Sequence, residues 1–197
     1  MSVTRTYYNT GALKKEYYEL NGKEEGEYKE YYSNGQLFRT SNYINGKKEG
    51  EYKIYYDNGH LLEICNYVNN KREGTFKRYH KNGHLMEICN YIYDKKEGEH
   101  KSYYENGKLD TICNYVNNLL DGKHTEYWGN GNIFTSCNYD KGFMNGEYSR
   151  YFSDGILYEQ FNCVGKRKYI DIVTSSIMNC VFKIIDYIMN IFYFFMG

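Results

Sequence analysis

Glycine recurs along this chain with a period of 24 and without slippage. One set stands at Gly26, Gly50, Gly74, Gly98, Gly122 and Gly146, and a second at Gly11, Gly35, Gly59, Gly83, Gly107, Gly131 and Gly155. A fixed period of this length marks a repeat architecture, in which each unit is one supersecondary element that buries its apolar face against its neighbours. The shared unit reads Asn-Gly-x-Leu-x-x-x-Cys-Asn-Tyr-x-x-x-Lys-x-Glu-Gly-x-Tyr-Lys-x-Tyr-Tyr-x. Six units run from Gly11 to Asp154, with partial units at both ends.

Two turn signals divide each unit. The dipeptides Asn34-Gly35, Asn58-Gly59, Asn82-Gly83, Asn106-Gly107 and Asn130-Gly131 read as two-residue type I′ turns, the hairpin turn that best matches strand twist. Midway between them come Asn21-Gly22, Asn45-Gly46, Asn69-Asn70, Asn117-Asn118 and Lys141-Gly142, which also tolerate positive φ. A helical repeat is excluded, because Gly-rich punctuation every nine to fifteen residues leaves no room for its helices. The expected fold is mainly β: a single elongated antiparallel meander sheet of hairpin repeats over residues 1–168, followed by a C-terminal α-helix over 169–197.

The turns also predict registers. A two-residue turn at Asn34-Gly35 pairs Tyr32 with Leu37 and Tyr28 with Ser41. One at Asn45-Gly46 pairs Ser41 with Gly50 and Arg39 with Tyr52. Both place Leu37, Ser41, Tyr43, Gly50, Tyr52 and Tyr56 on one face, and Phe38, Ile44, Glu51, Lys53 and Tyr55 on the other. A glycine in mid-strand costs stability. A neighbouring Tyr ring lying over its bare backbone would explain it.

Composition narrows the function. Lys plus Arg number 25 and Asp plus Glu 25, so the chain lacks the cationic surplus of a nucleic-acid binder. Aromatic residues reach 19 %, with 26 Tyr, which a disordered chain does not carry. The N-terminus shows no apolar signal segment. The expectation is therefore a cytoplasmic, reducing setting with the six Cys as thiols.

The run Tyr-Tyr-x-Asn-Gly-x-Leu, then Asn-Tyr, then Lys-x-Glu-Gly-x-Tyr, resembles the MORN repeat over residues 7–165. It is most similar to the MORN-variant form of antitoxin-like proteins and of many repeat proteins in giant viruses and protists. The resemblance implies stacked hairpins in an elongated sheet, and roles in scaffolding, partner binding or assembly near membranes. It implies no catalytic domain, since MORN enzymes carry theirs as a separate fusion.

Chemistry-bearing residues are spread evenly rather than gathered. Cys65, Cys89, Cys113 and Cys137 occupy one repeat position; equivalent positions lie two strands apart, ~9.6 Å, too far for a disulfide or a shared zinc. They read as small apolar residues opposite the unit Gly. His60, His80, His84, His100 and His124 form no cluster in the sequence pattern. The expectation is no enzyme, no cofactor and no metal. Lys29, Lys53, Lys77 and Lys101 make a basic stripe beside an acidic one of Glu27, Glu51, Glu99 and Glu147, a solvated face with mutual pairing. The column Tyr31, Tyr55, Tyr79, Tyr103, Tyr127 and Tyr151 is the candidate partner-binding surface, because a half-exposed Tyr strip offers both area and a hydroxyl.

The tail differs. Ile170, Val173, Ile177, Val181, Ile184, Ile188, Ile191 and Phe195 repeat at three and four, with a narrow opposing polar stripe that includes Lys183 and Asp186. Early units place Lys or Arg around the mid-unit turn, whereas the last two place Leu119-Leu120 and Phe143-Met144 there. Exposed apolar pairs invite cover, so the tail is expected to dock on them and cap the sheet. An interfacial membrane anchor and a membrane span follow in that order. The leading function is a non-catalytic protein-interaction or scaffold module with an unidentified protein partner. Alternatives are a peripheral membrane protein anchored through residues 169–197, or an antitoxin-like inhibitor of a partner protein.

Overall fold

The computed structural model describes residues 1–164 and 167–169. All its strands join one antiparallel sheet, and among the described residues there is no helix. Tyr169 still lies in a strand, opposite Asn162. The helix expected beyond it, and its docking, fall outside the described residues. A typical unit has a long strand (Leu37–Ile44), a two-residue return (Lys47–Lys48) and a second strand (Gly50–Tyr55), and the pattern recurs from Leu61 and from Leu85 onward.

The mid-unit turn takes the two-residue form the sequence suggests, and the Asn-Gly turn does not. At mid-unit, Ile44 pairs with Lys47 around Asn45 (φ 52°) and Gly46 (φ 76°), both left-handed as type I′ requires. At Asn34-Gly35 the loop has three residues. Gly35 N–H donates to the Tyr32 carbonyl at 2.9 Å, and Tyr32 N–H to the Gln36 carbonyl at 2.8 Å. Only Gly35 is left-handed there (φ 85°), and the Asn34 side chain accepts from Gln36 N–H at 3.0 Å. This is a type I turn closed by an αL glycine.

An odd loop shifts the register by one, and the chain corrects itself at once. Tyr31 pairs with Leu37 and Glu30 with Arg39, so Phe38 is an extra residue, a β-bulge. The expected Tyr28–Ser41 pair forms; the expected Tyr32–Leu37 pair does not. Leu37 therefore joins the face of Tyr31 and Lys29, and Phe38 packs on Tyr32 on the opposite face, with ring centroids 5.0 Å apart. Their expected faces are exchanged.

A second irregularity explains the unit glycine. Glu49 N–H still bonds to Asn42 at 2.9 Å, yet two residues further back Thr40 pairs with Lys53 and Arg39 with Ile54. The returning strand carries two extra residues, so Ser41–Gly50 and Arg39–Tyr52 do not pair. An even insertion preserves the faces. Gly50 sits in this kink at φ 82°, and a Cβ built there would meet nothing within 4 Å. The glycine is required by backbone conformation, not by an overlying Tyr ring.

The sheet has no second layer among the described residues, so one face is its own core. Tyr28, Tyr52, Phe76, Tyr91 and the Cys column are buried there. In the central units the aromatic two residues after the Gly meets the next Tyr edge-on: Tyr52 with Tyr67 at 5.3 Å and Phe76 with Tyr91 at 5.6 Å. Such cross-strand aromatic contacts contribute roughly 0.2–1 kcal/mol each. Cys65 stands opposite Tyr52 and Cys89 opposite Phe76. The Cys thus packs against the aromatic, and the unit Gly faces Tyr67 or Tyr91 instead. Basic side chains lie over these rings, with Lys48 Nζ 4.7 Å from the Tyr52 ring and Arg72 4.0 Å from that of Tyr91.

Candidate functional site

The opposite face carries the lysines. Lys29 pairs with Glu27 at 2.8 Å, and Lys53 with Glu51 and Lys101 with Glu99 at 2.5 Å. These are i, i+2 neighbours along one strand, and such exposed pairs contribute little to stability. In the third unit Thr75 replaces the acidic residue.

Tyr31, Tyr55, Tyr79, Tyr103, Tyr127 and Tyr151 stand half-buried at the end of this face nearest the three-residue loops. Each sits opposite an aliphatic residue: Tyr31 with Leu37, Tyr55 with Leu61, Tyr79 with Leu85, Tyr103 with Leu109, Tyr127 with Ile133 and Tyr151 with Leu157. The bulge at Phe38 and its equivalents brings each Leu or Ile beside its Tyr, a juxtaposition that simple alternation hides. Two shallow grooves open on the lysine face, and the second reaches the column at Tyr103. One of about 590 Å³ is lined by Ile64, Asn66, Thr75 and Lys77, and the other of about 600 Å³ by Leu85, Ile88, Lys101 and Tyr103. Gly74 and Gly98 border them, and neither has an atom within 4 Å of where a Cβ would stand.

The backbone of the Tyr column is fixed by the preceding unit. Tyr32 Oη donates to the Tyr55 carbonyl at 2.7 Å and Tyr104 Oη to that of Tyr127 at 2.6 Å. His80 Nε2 takes the same place at 2.8 Å from the Tyr103 carbonyl, and Trp128 Nε1 at 3.1 Å from that of Tyr151.

The mid-unit edge is stapled in a similar way. The acid before each unit Gly accepts from the first residue of the following mid-unit turn: Glu49 from Asn69 N–H at 2.9 Å, and Glu97 from Asn117 N–H at 2.8 Å. That is the work of the Glu in Glu-Gly. Leu119, Leu120, Phe143 and Met144 lie on this edge but do not form one patch. Leu120 pairs with Tyr115 and Met144 with Tyr139, in the positions where Lys48, Arg72 and Lys96 lie over Tyr rings. Leu119 and Phe143 point to the lysine face and are 48 % and 46 % exposed. A cap covering all four would have to wrap the edge.

Charge on the packed face gathers around Glu87. Lys96 Nζ lies 2.8 Å and His100 Nε2 3.0 Å from its Oε1, and Arg78 lies 3.6 Å from its Oε2. The His100 hydrogen bond, with help from Lys96 and against the cost of burial, pulls the Glu87 carboxyl down to about 2. Burial pushes the Cys65 thiol up to about 12 and that of Cys89 to about 11. His100 also reaches Cys113, with Sγ 3.6 Å from Nδ1. Even spacing along the chain gave no hint of this Cys–His–Glu cluster. It arises because a His replaces Tyr in one unit, directly opposite a Cys and diagonal to a Glu.

No curated protein matches the chain. The model of the MORN repeat variant matches five consecutive stretches, 24–45, 48–69, 72–93, 96–117 and 120–141, together more than half of the chain. Repeats of this kind are generally protein- or membrane-interaction modules, and on this match the chain belongs to the MORN repeat variant family.

Proposed function

We propose that this protein is a non-catalytic interaction scaffold that holds a protein partner on its lysine face. The observation that carries the reading is the column of half-buried tyrosines from Tyr31 to Tyr151, each opposite a Leu or Ile, with an open groove reaching Tyr103. Large rings fixed by a hydrogen-bonded backbone lose little entropy on contact, and Tyr is enriched where binding energy concentrates. Replacing Tyr79 and Tyr103 together by Ser tests it. Partners recovered by the intact protein are lost by the double variant, while its thermal unfolding shifts only slightly. Unchanged recovery rejects the surface.

A second reading is peripheral membrane binding, favoured by the mid-unit edge. Lys23, Lys47, Lys71 and Lys95 are exposed there, and Leu20, Ile44 and Ile92 beside them are 44–47 % exposed. Aliphatic and cationic groups in one row suit an anionic bilayer surface. Co-sedimentation with phosphatidylserine vesicles, using chains with and without residues 169–197, separates this edge from the tail as the contact.

A further inference from the structure

Cys65, Cys89, Cys113 and Cys137 offer an internal comparison. They share one repeat position on one face, and each is 4 % exposed. What differs is the residue opposite: Tyr52, Phe76, His100 and His124 in turn. Only Cys113 has an imidazole nitrogen at hydrogen-bonding distance, and only its histidine is anchored by a carboxylate, Glu87 at 3.0 Å. An ionised carboxylate at Nε2 fixes the tautomer. Nε2 carries the proton and donates it to Glu87, which leaves the Nδ1 lone pair to accept the Cys113 S–H. His124, by contrast, has no protein partner at its buried Nδ1.

We propose that Cys113 is a reactive thiol, a modification site for soft carbon electrophiles, with His100 as its base and Glu87 as the residue that orients that base. The arrangement has the logic of a nucleophile, a base and an orienting group in a line. In the reaction the sulfur attacks the electrophilic carbon. An S–C bond forms and the carbon–halide bond of a haloacetamide breaks, releasing halide. The thiol proton passes to His100 Nδ1, and the imidazolium is held by Glu87 until it returns the proton to water. Lys96 lies on the same Glu87 carboxylate, and its charge favours a developing thiolate at Cys113, whereas Arg78 is shared with Glu63 at 3.0 Å. Burial still pushes the Cys113 thiol up, which makes the base necessary rather than optional.

The test is alkylation of the intact protein with limiting iodoacetamide, followed by peptide mapping over time. Because the four thiols are equally buried, their relative rates report chemistry rather than access. Cys113 is expected to react on the order of 10²-fold faster than Cys89, the size of effect a positioned general base provides. His100→Phe recreates the Phe76–Cys89 pair of the neighbouring unit, and should bring Cys113 down to the Cys89 rate while leaving Cys65 unchanged. His100→Tyr, which recreates the Tyr52–Cys65 pair, serves if the Phe variant misfolds. Glu87→Gln should slow Cys113 selectively and move the pH dependence of its rate. A Cys113 rate equal to that of Cys89, or one indifferent to His100, overturns the proposal.

Discussion

The hydroxyl of Tyr56 donates to the backbone carbonyl of Tyr79 at 2.9 Å, and with it one repeat unit grips the next. The same bond recurs between Tyr8 and Tyr31 and between Tyr32 and Tyr55, both at 2.7 Å. Its sequence separation of 23 is one less than the period, so the contact always runs from a turn-proximal aromatic to the strand end of the following unit. An array held by nearest-neighbour terms gains stability in such increments.

Tyr56→Phe should therefore remove one inter-unit bond and leave a partly buried carbonyl unpaired, costing about 1–2 kcal/mol. The denaturant midpoint checks this. Hydrogen exchange should localise the loss to the amides around Tyr79. Uniform loosening of the whole array would contradict nearest-neighbour coupling.

The unit glycine makes a sharper case. At Gly50 (φ 82°) nothing blocks a Cβ within 4 Å, so Gly50→Ala should cost only the left-handed conformational penalty, about 1–2 kcal/mol. Gly50→Asn should cost less, because Asn tolerates that region. Equal losses for Ala and Asn, or losses that grow with side-chain size, would restore steric contact as the reason for the glycine.

Tyr93 is the converse. It occupies the first left-handed position of a mid-unit turn at φ 49°, where four other units have Asn, one has Lys and none has an aromatic. It is 64 % exposed, and its ring meets only a distant Lys71 Nζ at 5.7 Å among the cationic contacts. Tyr93→Asn should raise stability by about 1 kcal/mol, read as a higher thermal midpoint.

Acid should destabilise the array over two separate pH ranges. Burial lowers the His124 imidazole below its ordinary 6.5, so the unfolded chain takes up that proton more readily than the folded one. Its contribution is complete above 6.5 and is lost as pH falls below that value. Glu87 behaves in the carboxylate sense: held near 2 against an ordinary 4.5, it stabilises fully above 4.5 and loses that contribution as pH falls toward 2. Thermal midpoints against pH should show both declines. His124→Phe should remove the upper one and Glu87→Gln the lower.

The residues themselves state much of this. Period, strand count per unit, turn positions and the alternation that puts Tyr28, Ser41 and Tyr52 on one side are all local properties, and local properties survive in a sequence read alone. Tyr79 and Tyr103 could be placed in a column because every equivalent residue is 24 apart. Leu85 could not be placed beside Tyr79, because that depends on a bulge whose extra residue looks like any other strand residue.

What the chain determined by itself is the rhythm: glycines and asparagines at fixed intervals leave the backbone few choices but tight reversals. What only the folded sheet decided is which reversal takes which form, and what stands next to what. Asn34-Gly35 closes a three-residue loop because the following bulge absorbs the odd residue, and Glu87, His100 and Cys113 meet because three neighbouring strands carry them to one spot on one face. Turn preference is encoded within a few residues. Lateral neighbourhood across strands is the sum of every register shift in the unit, and it exists only once all of them have been made.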